Sequence, residues 1–206
     1  MKNVHHIIIL LLITPLSSCQ SKSEPKKNLE KETIADKPEC EIIYTKYIEK
    51  ASKMENDSAI YFLNKSISCD PANNNYKFSK AQFFVDNQKY QEALNQLNEI
   101  KIDSIDPSLK LFSSVLKLKL NNDDADKDLR EVYTKIAKIK KPTSSNIFYK
   151  LALENYFKDK NYALEQLKFY KKQYASDYDK QNLDALENYI VTDDKRNVLF
   201  KIFNIR

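Results

Sequence analysis

The sequence predicts an all-α chain: a stack of about four helix hairpins with capping helices at its C-terminal end. Three observations predict it. Glycine is absent from all 206 residues, against ~7% in average proteins, so folds that need positive backbone angles at set positions are disfavoured, tight two-residue β-hairpins among them. Beyond residue 40 the apolar residues recur at helical rather than alternating spacing. A small-then-large pair also returns four times, as Ala59 with Leu63, Ala93 with Leu97, Ala125 with Leu129 and Ala163 with Leu167, with alanine spacings of 34, 32 and 38.

The first element, residues 1–18, reads as a secretory leader. Lys2 supplies a basic start, Ile7 to Ile13 an apolar stretch, and Thr14, Pro15 and small residues precede a cysteine. The apolar run falls short of the ~20 residues that span a bilayer. Leu16, Ser17, Ser18 and Cys19 resemble the lipobox of bacterial lipoproteins. The resemblance implies cleavage before Cys19, diacylglycerol on its thiol, and a membrane as the first partner. Acyl chains enter lipid at ~0.8 kcal/mol per buried methylene, so more than one chain on one residue gives stable anchoring. Gln20 stands where enterobacterial lipoproteins retained at the inner membrane carry Asp. The expected location is therefore the cell envelope, on the outer membrane facing the periplasm.

Residues 19–39 form the second element, a tether. Ser21, Ser23, Pro25, Lys26, Lys27 and Asn28 lead into alternating Glu and Lys with no aromatic residue, a composition that cannot bury a core. As a flexible coil it would span roughly 25 Å.

Residues 40–206 form the folded domain. The pairs expected are 41–54 with 57–69, 75–86 with 89–100, 107–120 with 123–140, and 144–157 with 161–174. An alanine lets two helices approach, and a large residue one turn later fills the adjoining groove. The first two units also match at an offset of 34 through Tyr47 and Ala81, Ala51 and Val85, and Ile60 and Leu94. Asp57, Asn75, Asp106 and Asp123 are candidate helix caps, and Pro107 suits a first helical position. Leu183, Leu186 and Ile190 mark one more helix and Val198, Leu199, Ile202 and Phe203 a short last one, expected to cover the open end. The segment Asn87 to Leu94, with Tyr90 and Ala93, and Pro71 after Cys69 and Asp70, resemble a tetratricopeptide repeat, whose period is near 34 residues. The first-helix Trp and the glycines of that family are missing.

Cys40 and Cys69 fall at the same end of the first hairpin, which makes a disulfide feasible. An exported chain meets an oxidising compartment, and closing a loop of this length contributes ~3.5 kcal/mol in the entropy model. Two buried thiols are the alternative.

Much chemistry is excluded. The two histidines, His5 and His6, lie in the leader, leaving no imidazole for a triad or a zinc site. No glycine-rich loop can cradle phosphate. Loss of Lys2 takes the net charge from +5 to +4, 33 basic against 29 acidic residues, which is too mild and dispersed for nucleic acid. Asn122, Asp124 and Asp126 alternate like half a calcium loop, but Tyr133 stands at the place of its bidentate Glu. Lys135, Lys138, Lys140 and Lys141 read as a solvated helix end, with anionic headgroups as the alternative contact. Phe148, Tyr156, Tyr170 and Tyr133 fall on apolar stripes and read as core. No cofactor, metal or catalytic residue is expected. A Ser with a Lys base, or paired carboxylates, would be the remaining enzymatic chemistry.

The tetratricopeptide resemblance implies a concave groove lined by Tyr44 and Phe78, 34 residues apart, and by Gln82 and Tyr149. Tyr44 replaces the Lys of the carboxylate clamp found in some of these domains, so aromatic packing would hold a ligand. The function expected is a non-catalytic interaction or scaffold module for another envelope protein or peptide. Alternatives within that class are a toxin-neutralising immunity lipoprotein and an outer-membrane assembly subunit.

Overall fold

In the computed structural model, residues 37–100, 107–173 and 177–206 are described, with the side chains of 177 and 178 excepted. The residues read as leader and lipobox, Cys19 among them, the segment as far as Asp36, and Asp106 lie outside these residues. Lys37 to Arg206 form one compact unit. Among the described residues there are ten helices and no strand: α1 (Pro38–Ser52), α2 (Asn56–Cys69), α3 (Asn74–Asp86), α4 (Tyr90–Asn98), α5 (Pro107–Lys119), α6 (Ala125–Ala137), α7 (Ser144–Phe157), α8 (Lys160–Gln173), α9 (Asp177–Thr192) and α10 (Lys195–Lys201).

The first eight helices pack as consecutive hairpins, α1 on α2, α3 on α4, α5 on α6 and α7 on α8, and each second helix also meets the next first helix. All eight members of the Ala–Leu pairs are buried, at 0–2% exposure, so the sequence period coincides with the seam of every hairpin. Polar groups tie the antiparallel partners. Lys110 and Lys117 of α5 pair with Glu131 and Asp128 of α6, at 2.5 and 2.6 Å. Glu131 is also held by Lys135, and the two lysines bring its carboxyl down to about 2.

The turns carry the period more sharply. Met54, Gln88 and Asn121 have φ of 59°, 59° and 53°, and they lie 34 and 33 residues apart. Each ends the first helix of a hairpin with the same double bond. The amide after it donates to a carbonyl five residues back (Glu55 to Lys50, Lys89 to Phe84, Asn122 to Lys117), and its own amide donates three residues back. That is the Schellman motif. Asn204, φ 56°, repeats it after α10 through Ile205 to Phe200. The absence of glycine therefore does not remove positive angles, as the composition suggested; Asn, Gln and Met adopt them. The strain of a left-handed residue with a Cβ, ~1–2 kcal/mol, is offset by the carbonyls each turn satisfies.

Caps differ in detail from expectation. Asn73 rather than Asn75 caps α3, accepting from the Asn75 amide, and Thr143 with Asn146 forms a reciprocal capping box on α7. Asp159 accepts from the Tyr162 amide at the start of α8, and Asp194 from Arg196 and Asn197 at α10. Asp57 and Asp123 cap nothing: α2 and α6 begin behind Glu55 and Asp124 without a side-chain cap. α6 stops at Ala137, three residues short of expectation, because Pro142 bars helix at Lys141 and releases the preceding turn.

The last two helices divide their work. α9 packs on α8 and α7 like a further first helix, while α10 turns back across α7, α9 and α5. The second of the two expected capping helices is thus laid along the first-helix face instead of over the open end. Val198 and Leu199 of α10 are fully buried there, and Ile205 of the segment that follows is 4% exposed.

Candidate partner-binding face

Side chains link the first helix of one hairpin to that of the next, α1 to α3 and α3 to α5. Glu41 and Tyr44 of α1 meet Tyr76 and Ser79 of α3: the Tyr76 hydroxyl donates to Glu41 at 2.5 Å, and the Tyr44 hydroxyl shares a hydrogen bond of 2.6 Å with Ser79. The Tyr44 ring also packs on those of Tyr76 and Tyr47, 4.8 and 5.4 Å away. Burial raises the pKa of all three phenols, foremost by desolvation, and the Glu41 carboxylate adds to the effect at Tyr76.

Farther along, Phe78 of α3 meets Phe112 of α5 edge-on at 5.9 Å. Phe112 then stacks on Phe203 at 4.9 Å, and Phe203 stacks on Tyr149 of α7 at 5.8 Å. The ladder Phe78, Phe112, Phe203, Tyr149 joins three first helices through a residue from the segment after α10. That segment continues to Arg206, whose carbonyl accepts from the Tyr90 hydroxyl at 2.6 Å and whose amide donates to the same oxygen. Lys119 lies over the rings of both Tyr90 and Phe200. Arg206 also counters the rise that partial desolvation imposes on the Asp86 carboxyl.

The four sequence-derived groove residues therefore have three environments. Phe78 and Tyr149 are half-buried in the ladder. Tyr44 is half-buried with its hydroxyl engaged, and Gln82 is exposed. Beside them Ile48 is 50% exposed. Sequence reasoning missed Phe112, Phe203, Tyr90 and Arg206 as parts of this face. The apolar character of Val198, Leu199, Phe203 and Ile205 was available as a signal, but it does not say which surface the segment covers.

Cys40 and Cys69 are bonded, sulfurs 1.99 Å and Cα atoms 5.6 Å apart. Glu39 joins them in the grouping whose donor atoms lie within 4.8 Å of one another, but the bond removes both thiolates as metal ligands. Asn122 accepts from the Asp124 amide and Asp126 from the Tyr156 hydroxyl, so two side chains of the supposed calcium half-loop serve the α6 start and its contact with α7. Tyr156 is buried, while Tyr133, Phe148 and Tyr170 pack partly buried against the main core. Among the described residues no helix is long and apolar enough to cross a membrane.

Fold and face define an all-helical array of hairpins with an aromatic ladder on its first helices, part of it covered by the segment after α10. No family model, curated protein or solved structure matches it.

Proposed function

We propose that the chain is a lipid-anchored, tetratricopeptide-like scaffold of the bacterial envelope that offers part of its first-helix face to another envelope protein or peptide, without catalysis. The repeat reading is supported by the left-handed turns at Met54, Gln88 and Asn121 and by the in-register contacts between successive first helices. The anchor reading is supported by the order of basic, apolar and Leu-Ser-Ser-Cys segments.

One observation carries the binding role: Phe203 closes the α5/α7 half of the face, while Ile48 and Gln82 on α1 and α3 stay exposed beside Tyr44. Exposed apolar and polar side chains next to a rigid aromatic cluster suit an extended segment lying across two helices. The test places a photo-crosslinking residue at Gln82, and as a control at the exposed Asn188 of α9, in growing cells. A discrete adduct from position 82 alone is expected. Identical adducts from both positions, or none from 82, would reject the face.

A further inference from the structure

Successive hairpins place the N-terminal ends of α1, α3, α5 and α7 on one edge, together with the C-terminal ends of their partners. Contacts within three hairpins show the antiparallel pairing, Lys37 with Cys69 and Asp70, Lys110 with Glu131, and Lys150 with Tyr170, and the packing of each second helix on the next first helix carries the alternation along the chain. The α6–α7 connection runs along the same edge and carries Lys138, Lys140 and Lys141, all exposed. Between Glu131 and Glu154 the sequence holds no acidic residue, and Glu131 is already matched by Lys110 and Lys135. At the end of α8, Lys168 and Lys172 are also exposed. A helix dipole explains Lys135 in the last turn of α6. It does not explain Lys140 and Lys141, which lie beyond the helix end at Ala137. The opposite edge has the contrary sign around α6, with Asp123, Asp124, Asp126 and Asp128.

Lys37, where the described chain begins, stands on the lysine-bearing edge. Seventeen residues separate it from Cys19, and such a length reaches no more than about 60 Å even fully extended. From the placement of these lysines on the edge from which the chain leads back toward Cys19, we propose that Lys138, Lys140 and Lys141 dock the domain on anionic lipid headgroups. In orientation the proposal rests on the anchor reading; in chemistry it stands without it. Lysines near an anionic leaflet each contribute ~1 kcal/mol, and that attraction is strongly screened by salt.

All buried side chains of the described core come from residues 40–205, so residues 20–206 form the test protein without lipid. Co-sedimentation with phosphatidylglycerol–phosphatidylcholine vesicles at low salt should show binding that is lost in molar salt and absent on pure phosphatidylcholine. K138Q/K140Q/K141Q should weaken it about a hundredfold. K53Q/K89Q/K127Q, on the opposite edge, should leave it within about twofold. Equal loss in both triple variants, no loss in the first, or equal binding to neutral vesicles would overturn the docking surface. Failure of labelled palmitate to mark the full-length chain would strike the anchor alone, because the vesicle measurement involves no acyl chain.

Discussion

The ring of Phe203 lies over that of Tyr149 with an angle of 17° between planes, and its other neighbour, Phe112, is inclined by 22°. One side chain from beyond the last helix is thereby interleaved between two first helices. Stacked or offset rings of this kind contribute ~0.5–1.5 kcal/mol beyond their buried area.

Phe203→Ala should therefore destabilise the domain by about 2–3 kcal/mol, less than a fully buried phenylalanine because Phe203 is only half-buried. Denaturant midpoints measure it. Hydrogen exchange should rise first in residues 195–205 and next in α5 and α7. A change below about 0.5 kcal/mol would mean that the ladder is mere surface contact.

Removing the disulfide should act locally. The first hairpin belongs to a small core of Cys40, Ala59, Leu63, Tyr76 and Phe83, and α1 buries nothing fully except Cys40. Cys40→Ser with Cys69→Ser should cost about 3 kcal/mol, with exchange accelerated over α1 and α2 and little altered over α7. Uniform acceleration along the chain would contradict a separate first core.

Glycine should be welcome at the left-handed turns. Met54→Gly and Gln88→Gly should each stabilise by about 1 kcal/mol, because the Cβ strain disappears while the Schellman bonds remain. Asn121→Gly should gain less, since Asn tolerates this region. Thermal midpoints check the order, and destabilisation at both Met54 and Gln88 would disprove relaxed helix ends there.

The Tyr156 phenol is pushed up to about 12, by desolvation first and then by its 2.5 Å hydrogen bond to Asp126. A folded-state pKa above the unfolded value near 10 makes a contribution that is complete below pH 10. It is lost as pH rises through about 12, because the unfolded phenol ionises first. Stability should fall over that window, and Tyr156→Phe should flatten the fall. Tyrosinate absorbance during alkaline titration reads the same group. An unchanged slope in the variant would remove Tyr156 as its source.

The hairpins were legible because their signal is local. Ala93 and Leu97 need only one turn of helix to declare the seam, and the Ala–Leu recurrence marks all four pairs. The disulfide was legible as well, since Cys40 and Cys69 bracket a single hairpin. The path of residues 202–206 was not: its partners Tyr90, Phe112 and Tyr149 lie between 54 and 113 positions from Phe203, and apolar spacing cannot name a surface so distant. The turns were hidden for another reason. Positive angles are read from glycine, whereas here Met54 and Gln88 adopt them under the direction of the hydrogen bonds around them.

The burial of Ile205 imposes an order in time. A chain emerging residue by residue, from a ribosome or through any pore, leaves the aromatic surface of α5 and α7 uncovered until residues 203–205 follow. The hairpins can form in succession, but the domain can latch only once residues 203–205 have emerged. Until then Phe112 depends on some other cover to shield it from water.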